Sequence, residues 1–204
     1  MLVAALAAGR LDALQRASAG TRAVDRRPIP YFIAQGPRAA GYRPGDDELA
    51  SWAFAAWQEH AGGGLTLVRS PEQTALVRLY WESPNGATYG EMRPLLIDGR
   101  RGAEIFVRPD ITALGPDISS RGSHDPLWRD TVVYLTCLHE LGHAFGLSHT
   151  ADERDIMYSF QYGGDIVEYF GRYRRQLTTS RDIRLHAGLS DNDITRVRAL
   201  HPVS

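Results

Sequence analysis

The stretch His139-Glu140-Leu141-Gly142-His143-Ala144-Phe145-Gly146-Leu147-Ser148-His149 decides how the rest of the chain is read. On a helix, residues four apart lie one turn from each other, so the imidazoles of His139 and His143 project from one face towards a common point. Glu140 lies beside them, within reach of a metal-bound water without being a ligand. Gly146 is placed to end the helix, because glycine accepts the positive φ of a C-terminal cap. The chain can then turn back and deliver His149 as a third ligand. Three neutral imidazoles suit zinc and leave a fourth position open, the catalytic and not the structural arrangement. A chance match to the whole pattern is on the order of 10⁻⁵ from the residue frequencies, far rarer than a bare His-Glu-x-x-His.

Around this stretch the composition is that of a globular protein. The 204 residues, 43% hydrophobic and 23% charged, suffice for one domain whose core needs no disulfide. No apolar run reaches the roughly 18 residues of a spanning helix, so a membrane span is excluded. A formal net charge of -1 leaves no electrostatic case for nucleic acid or anionic lipid. The lone Cys137 excludes an internal disulfide and any cysteine-based zinc or iron–sulfur cluster. All 23 basic residues are arginine, which with abundant Ala and Gly reads as GC-rich, bacterial coding and not as chemistry.

Residues 1–27 read as an N-terminal extension, either a truncated export signal or a frayed helix through Leu14. Domain-like sequence begins at Pro28, with a strand at Ile29-Pro30-Tyr31-Phe32-Ile33. Asp46 or Asp47 is placed to cap a helix to His60, whose Leu49, Trp52, Ala53, Ala56 and Trp57 form one apolar face. Leu65 to Arg69, Ala75 to Trp81 and Ala103 to Val107 read as strands. Pro84-Asn85-Gly86 and Asp98-Gly99 read as turns, and Thr88 to Ile97 as an edge strand broken by Pro94. Asp110 to Asp125 reads as loop, Pro126 to Phe145 as helix, and Ser190-Asp191-Asn192-Asp193 as the capped start of a last helix. The order is that of an α+β fold.

The motif from His139 to His149 resembles the metzincin zinc-protease signature, and Asp155-Ile156-Met157-Tyr158 resembles the methionine turn that follows it. Asp152, Tyr158 and the run from Leu189 to Ile194 are similar to the matrixin branch in particular. The resemblance implies a metzincin-like zincin fold: a twisted mixed sheet with an antiparallel edge strand, an active-site helix and a small C-terminal helical subdomain from about residue 147. It implies one catalytic zinc on His139, His143 and His149, Glu140 as general base, and Met157 as the floor beneath the metal. The residues after the methionine turn, Tyr158, Phe160 and Tyr162, are then candidates for the substrate pocket. The function implied is a zinc-dependent endopeptidase acting through a zinc-bound water on a protein or peptide substrate. A monomer in a secreted or periplasmic location is expected. The alternatives are a zinc hydrolase of a non-peptide amide and a non-catalytic, zinc-stabilised binding domain; retention of Glu140 speaks against the second.

Departures from the family pattern carry expectations of their own. Cys137 lies on the active-site helix, and none precedes it in a propeptide motif; it is expected to be a small buried residue. No histidine lies between Trp81 and Asp110, where matrixins place a structural zinc, so none is expected. Asp98, Asp110 and Asp117 are the carboxylates that would bind calcium, but solvated loop acids are the commoner reading. Asn192 stands where the family carries an acid for the mature N-terminal ammonium. Phe160 to Gly188 is longer than the family segment; Ile166, Val167, Tyr169 and Phe170 read as a short helix in it. Arg172, Arg174, Arg175, Arg181 and Arg184 there read as a solvated face or as a basic lip on the cleft. His60, His124, His186 and His201 lack ligand spacing and read as surface or capping residues.

Overall fold

In the computed structural model, residues 28–83 and 89–203 are described. The N-terminal extension and the turn at Pro84-Asn85-Gly86 lie outside them. Five strands, β1 (Ile29–Ile33), β2 (Leu67–Arg69), β3 (Val77–Trp81), β4 (Gly90–Ile97) and β5 (Arg100–Val107), form one sheet in the order β2-β1-β3-β5-β4. All neighbours are parallel except β4, which runs antiparallel to β5 at the edge. The fold is the α+β arrangement with an antiparallel edge strand that the motif implied. Asp98 (φ 50°) and Gly99 (φ 74°) join β4 to β5, both in the left-handed region that a two-residue hairpin with right-handed twist requires.

Pro94 does not break β4, which continues unbroken from Gly90 to Ile97. Opposite it, Ala103 donates its N–H to Leu76 O on the β3 side at 2.8 Å, so Pro94 and Ala103 are a pair with no hydrogen bond between them. The ring nitrogen of Pro94 therefore faces the open edge, where no ladder bond is lost.

Helix α1 (Asp46–His60) and helix α3 (Pro126–Ala144) pack on one face of the sheet. Neither Asp46 nor Asp47 caps α1. Gly45, at φ 102°, precedes the helix without a side-chain cap, and Asp46 is its first residue. Its buried carboxylate turns inward to Arg129 of α3. Trp57 is wholly buried and its Nε1–H donates to Leu138 O at 2.9 Å, while Trp52 is only partly buried. The stretch after Asp110 is not loop throughout. It holds a helical turn at Ile111–Leu114 and helix α2 (Pro116–His124). Pro116 starts α2 in the first turn, where its missing N–H has no partner to lose, and Ile118 buries it. The Ser- and Gly-rich sequence of α2 hides its helical period.

Helix α3 carries the motif. Asp125 accepts the Leu127 N–H at its N-terminus and Pro126 follows in the first turn. Most of its side chains are buried, Cys137 among them, and burial pushes that thiol well above its ordinary range. Beyond α3 lie helix α4 (Ile166–Arg174), a helical stretch at Ser180–Leu185 and helix α5 (Asp191–Leu200). Asp165 caps α4, and Phe170 of α4 packs edge-on against Trp128 of α3. Ser190 and Asp193 close the capping box on α5 as the sequence predicts.

Three of the five arginines of this segment have partners. Arg174 bridges Asp125 at 2.7 Å, Arg175 bridges Glu168 at 2.6 Å, and Arg172 reaches the Glu153 carbonyl. A basic lip built on Arg174 and Arg175 is therefore not what the structure holds. Asp98, Asp110 and Asp117 belong to three different elements, and Asp110 accepts the Thr112 N–H and hydroxyl. His201 is buried and pairs with the Phe145 carbonyl at 2.8 Å, at the end of α3.

Candidate metal centre

Gly146, at φ 94°, reverses the chain after α3. Its N–H donates to His143 O and the Leu147 N–H to Gly142 O, both at 2.9 Å, which is the paired bonding of a Schellman cap. That reversal brings His149 back under the helix. His139, His143 and His149 are the group of metal-ligating side chains found among the described residues, their ligand atoms all within 4.8 Å of one another.

Two of the rings are oriented by backbone. His139 Nδ1–H donates to Ile156 O at 2.6 Å and His143 Nδ1–H to Leu147 O at 2.8 Å, which leaves both Nε2 atoms as lone-pair donors. His149 Nε2 stands 3.3 Å from His139 Nε2 and 3.1 Å from His143 Nε2. Three nitrogens bound tetrahedrally to one zinc lie about 3.3–3.4 Å apart. Burial, and then the neighbouring imidazoles, hold the His139 ring down at about 4 and the His143 ring well below its ordinary value. Neutral lone pairs facing one another at these distances repel unless a cation lies between them. The donor set fits zinc.

Glu140 is buried and opens into the same cavity without joining the converging nitrogens. Burial pushes its carboxyl up to about 8, the nearby Glu91 charge adds to this, and Arg108 opposes it. Arg108 is itself buried, 3.2 Å from Glu82 and 3.6 Å from Glu91. Gly90 passes directly over Glu140: a Cβ there would stand 2.8 Å from both Glu140 Cγ and Thr136 Cγ2.

Met157 is wholly buried, and a Cβ on Gly142 would collide with its sulfur, so the missing side chain lets Met157 lie against α3. The turn that carries Met157 is held from both sides. Thr150 N–H donates to Met157 O at 2.9 Å, and Asp193 accepts the Ile156 N–H at 2.7 Å. Asn192 donates to Asp155 at 2.6 Å, beside Ser190, which reaches the other oxygen of the same carboxylate at 2.6 Å. Asp152 lies apart from the site, ion-paired with Arg154 at the surface.

A cavity of about 260 Å³ opens beside the imidazoles, and Tyr158 and Phe160 are among the residues that line it. Tyr162 does not line it and is 57% exposed. Residues 160–162 form one tight helical turn of three residues, so Phe160 packs inward on Tyr158 while Tyr162, two positions on, faces out. The sequence reading missed Gly90, Leu135 and Thr136 in this wall. The glycine at the head of an edge strand was the one local signal for close backbone approach.

A mixed sheet over a helix that carries two of three convergent imidazoles builds a site fit to hold a metal ion. Residues 29–167 match the matrixin family, and the chain belongs to it. Matrixins are zinc-dependent peptidases, so the substrates are proteins or peptides. No curated protein matches the chain significantly. Among the described residues, no helix is long and apolar enough to cross a membrane.

Proposed function

We propose that this protein is an endopeptidase in which His139, His143 and His149 hold one zinc and Glu140 is the general base. The observation that carries the reading is the pair of backbone-oriented rings whose Nε2 atoms face His149 Nε2 at 3.1 and 3.3 Å, with a free carboxylate alongside. When bound, zinc supplies a Lewis acid that brings the pKa of a coordinated water towards about 7 and polarises a carbonyl oxygen. Glu140 receives a proton from the attacking water and returns it to the leaving amine nitrogen as the C–N bond breaks. Its buried setting favours that pick-up. Arg108, between Glu82 and Glu91, balances the charge behind it.

The open edge of β4 positions an extended peptide. Tyr89 O accepts the Arg108 N–H at 2.9 Å, so the backbone groups of Gly90, Met92, Pro94 and Leu96 alternate outward from the sheet. A peptide added there pairs with Gly90 and Met92 next to Glu140, and finds no donor at Pro94. Met157 packs beneath the imidazoles as an apolar floor. Export to the periplasm or medium suits a peptidase of this kind.

Casein digestion by stoichiometrically zinc-loaded protein tests the reading. Digestion is expected to stop with a chelator, and Glu140→Gln to keep zinc while losing about 10²-fold or more in turnover. Glu140→Gln losing the metal, or digesting at the wild-type rate, would overturn the role.

A further inference from the structure

Helix α5 is fixed along its length. Asp193 accepts the Ile156 N–H near its start, and Val197 is wholly buried in its middle. Arg198 Nε donates to His60 O at 2.8 Å, and His201, just past the helix, pairs with the Phe145 carbonyl. From this anchored helix Arg196 reaches the chain between Gly146 and His149. Its Nη2 donates to both the carbonyl and the hydroxyl of Ser148, at 2.8 and 3.0 Å. Arg196 is half-buried, and its Nη1 is shut off from solvent without a hydrogen-bond partner, a cost that the charge-assisted bonds to Ser148 must outweigh. After burial and the neighbouring imidazoles, the Arg196 charge also disfavours a proton on His143, so the guanidinium stands close to the ligand set.

His139 and His143 ride on α3, whose backbone fixes their Cα positions. His149 comes from outside any helix, and the Ser148 carbonyl belongs to the peptide unit that leads into it. A ligand nitrogen must lie within about 0.2 Å of its proper distance from the metal, and rotation of that peptide would carry the ring well beyond this. We propose that Arg196 is a positioning residue for His149: by holding the carbonyl and hydroxyl of Ser148 it fixes the peptide that presents the third ligand, and so governs how tightly zinc is kept. This rests on the zinc reading above. The charge of the guanidinium by itself opposes a nearby cation, so the two contributions of Arg196 have opposite signs. Loss of the charge alone would tighten zinc, whereas loss of the hold on Ser148 weakens it.

The test is zinc affinity of the full chain, measured by competition with a chromophoric chelator. Arg196→Met keeps an apolar stem but no donor, and is expected to raise the zinc Kd by about 10-fold or more, the usual scale for a group that orients a ligand. Cobalt(II) in place of zinc reports the geometry directly, and its visible bands are expected to change in position or intensity in the same variant. Arg198→Met is the control: it removes an equal charge and a helix-anchoring bond from α5 without touching Ser148. Its Kd is expected to stay within about 2-fold of wild type, with unaltered cobalt bands. Should Arg196→Met fold poorly, Arg196→Gln, polar and shorter, carries the same test. A folded Arg196 variant whose Kd lies within about 3-fold of wild type, or is tighter, would overturn the proposal. So would an Arg198→Met that weakens zinc as much, since that marks a general loss of stability. Wild type that takes up no zinc removes both the metal reading and this inference; wild type that binds zinc no better than Arg196→Met removes this inference alone.

Discussion

Replacing Arg129 with Met removes one half of the ion pair that ties α1 to α3. Both side chains are almost fully enclosed, at 3% and 2% exposure. The guanidinium makes two bonds to Asp46, one at 2.7 Å, and a third to Gly41 O at 3.0 Å. In Arg129→Met the Asp46 carboxylate keeps the Arg43 N–H at 2.8 Å as its hydrogen-bond partner, and Gly41 O loses its guanidinium donor. Leaving a buried charge in that state costs about 3–5 kcal/mol. For a chain of this size that corresponds to a drop in Tm of roughly 6–20 °C. The measurement is urea unfolding followed by tryptophan fluorescence, at matched zinc saturation because bound metal adds its own stabilisation. The double variant Asp46→Leu/Arg129→Met removes both charges and is expected to recover much of the loss, since apolar groups of similar volume replace such pairs at little net cost. A single-variant loss below about 1 kcal/mol, or a double variant as unstable as the sum of the singles, would refute the coupling assigned to this pair.

His143→Ala is expected to strip the metal; elemental analysis showing one zinc per chain in that variant would remove His143 from the ligand set. Gly90→Ala places a methyl 2.8 Å from Glu140 Cγ and is expected to lower kcat/KM by about 10–10²-fold through a misplaced base while zinc content stays at wild-type level. The guanidinium of Arg174 beside Asp125 holds that carboxyl below its usual range, so the stability it contributes is present above the unfolded pKa of about 3.9 and is lost as pH falls through the folded value. Arg174→Gln is accordingly less stable than wild type near neutral pH, with the Tm gap closing below about pH 4; a gap that stays constant on acidification contradicts the pairing. Fractionation of the native host is expected to place the protein outside the cytosol, and recovery from the cytosol alone would refute export.

The local part of this protein is legible in one dimension. His139 and His143 at helical spacing, Gly146 at the cap and His149 three residues on bring the three rings together, because helical period and one chain reversal are local properties, although the Ile156 carbonyl that orients His139 lies 17 residues away. The Ser190–Asp193 capping box and the Asp98-Gly99 hairpin are of the same kind: each closes within four residues, so the chemistry of those residues decides it. What depends on residues far apart in the chain was not legible. Asp46 reads as a helix cap until Arg129, 83 residues away, draws its carboxylate inward. Arg174 and Arg175 read as a free basic run until the fold supplies Asp125 and Glu168. Pro94 reads as a break until the register against β5 turns its nitrogen to the open edge. Gly90 over Glu140, and the hold of Arg196 on Ser148, exist only once α3, α5 and β4 pack together. Local hydrogen bonding and helical period are properties of neighbouring residues, whereas burial, charge pairing and the depth of a cavity are properties of surfaces that only packing brings into contact.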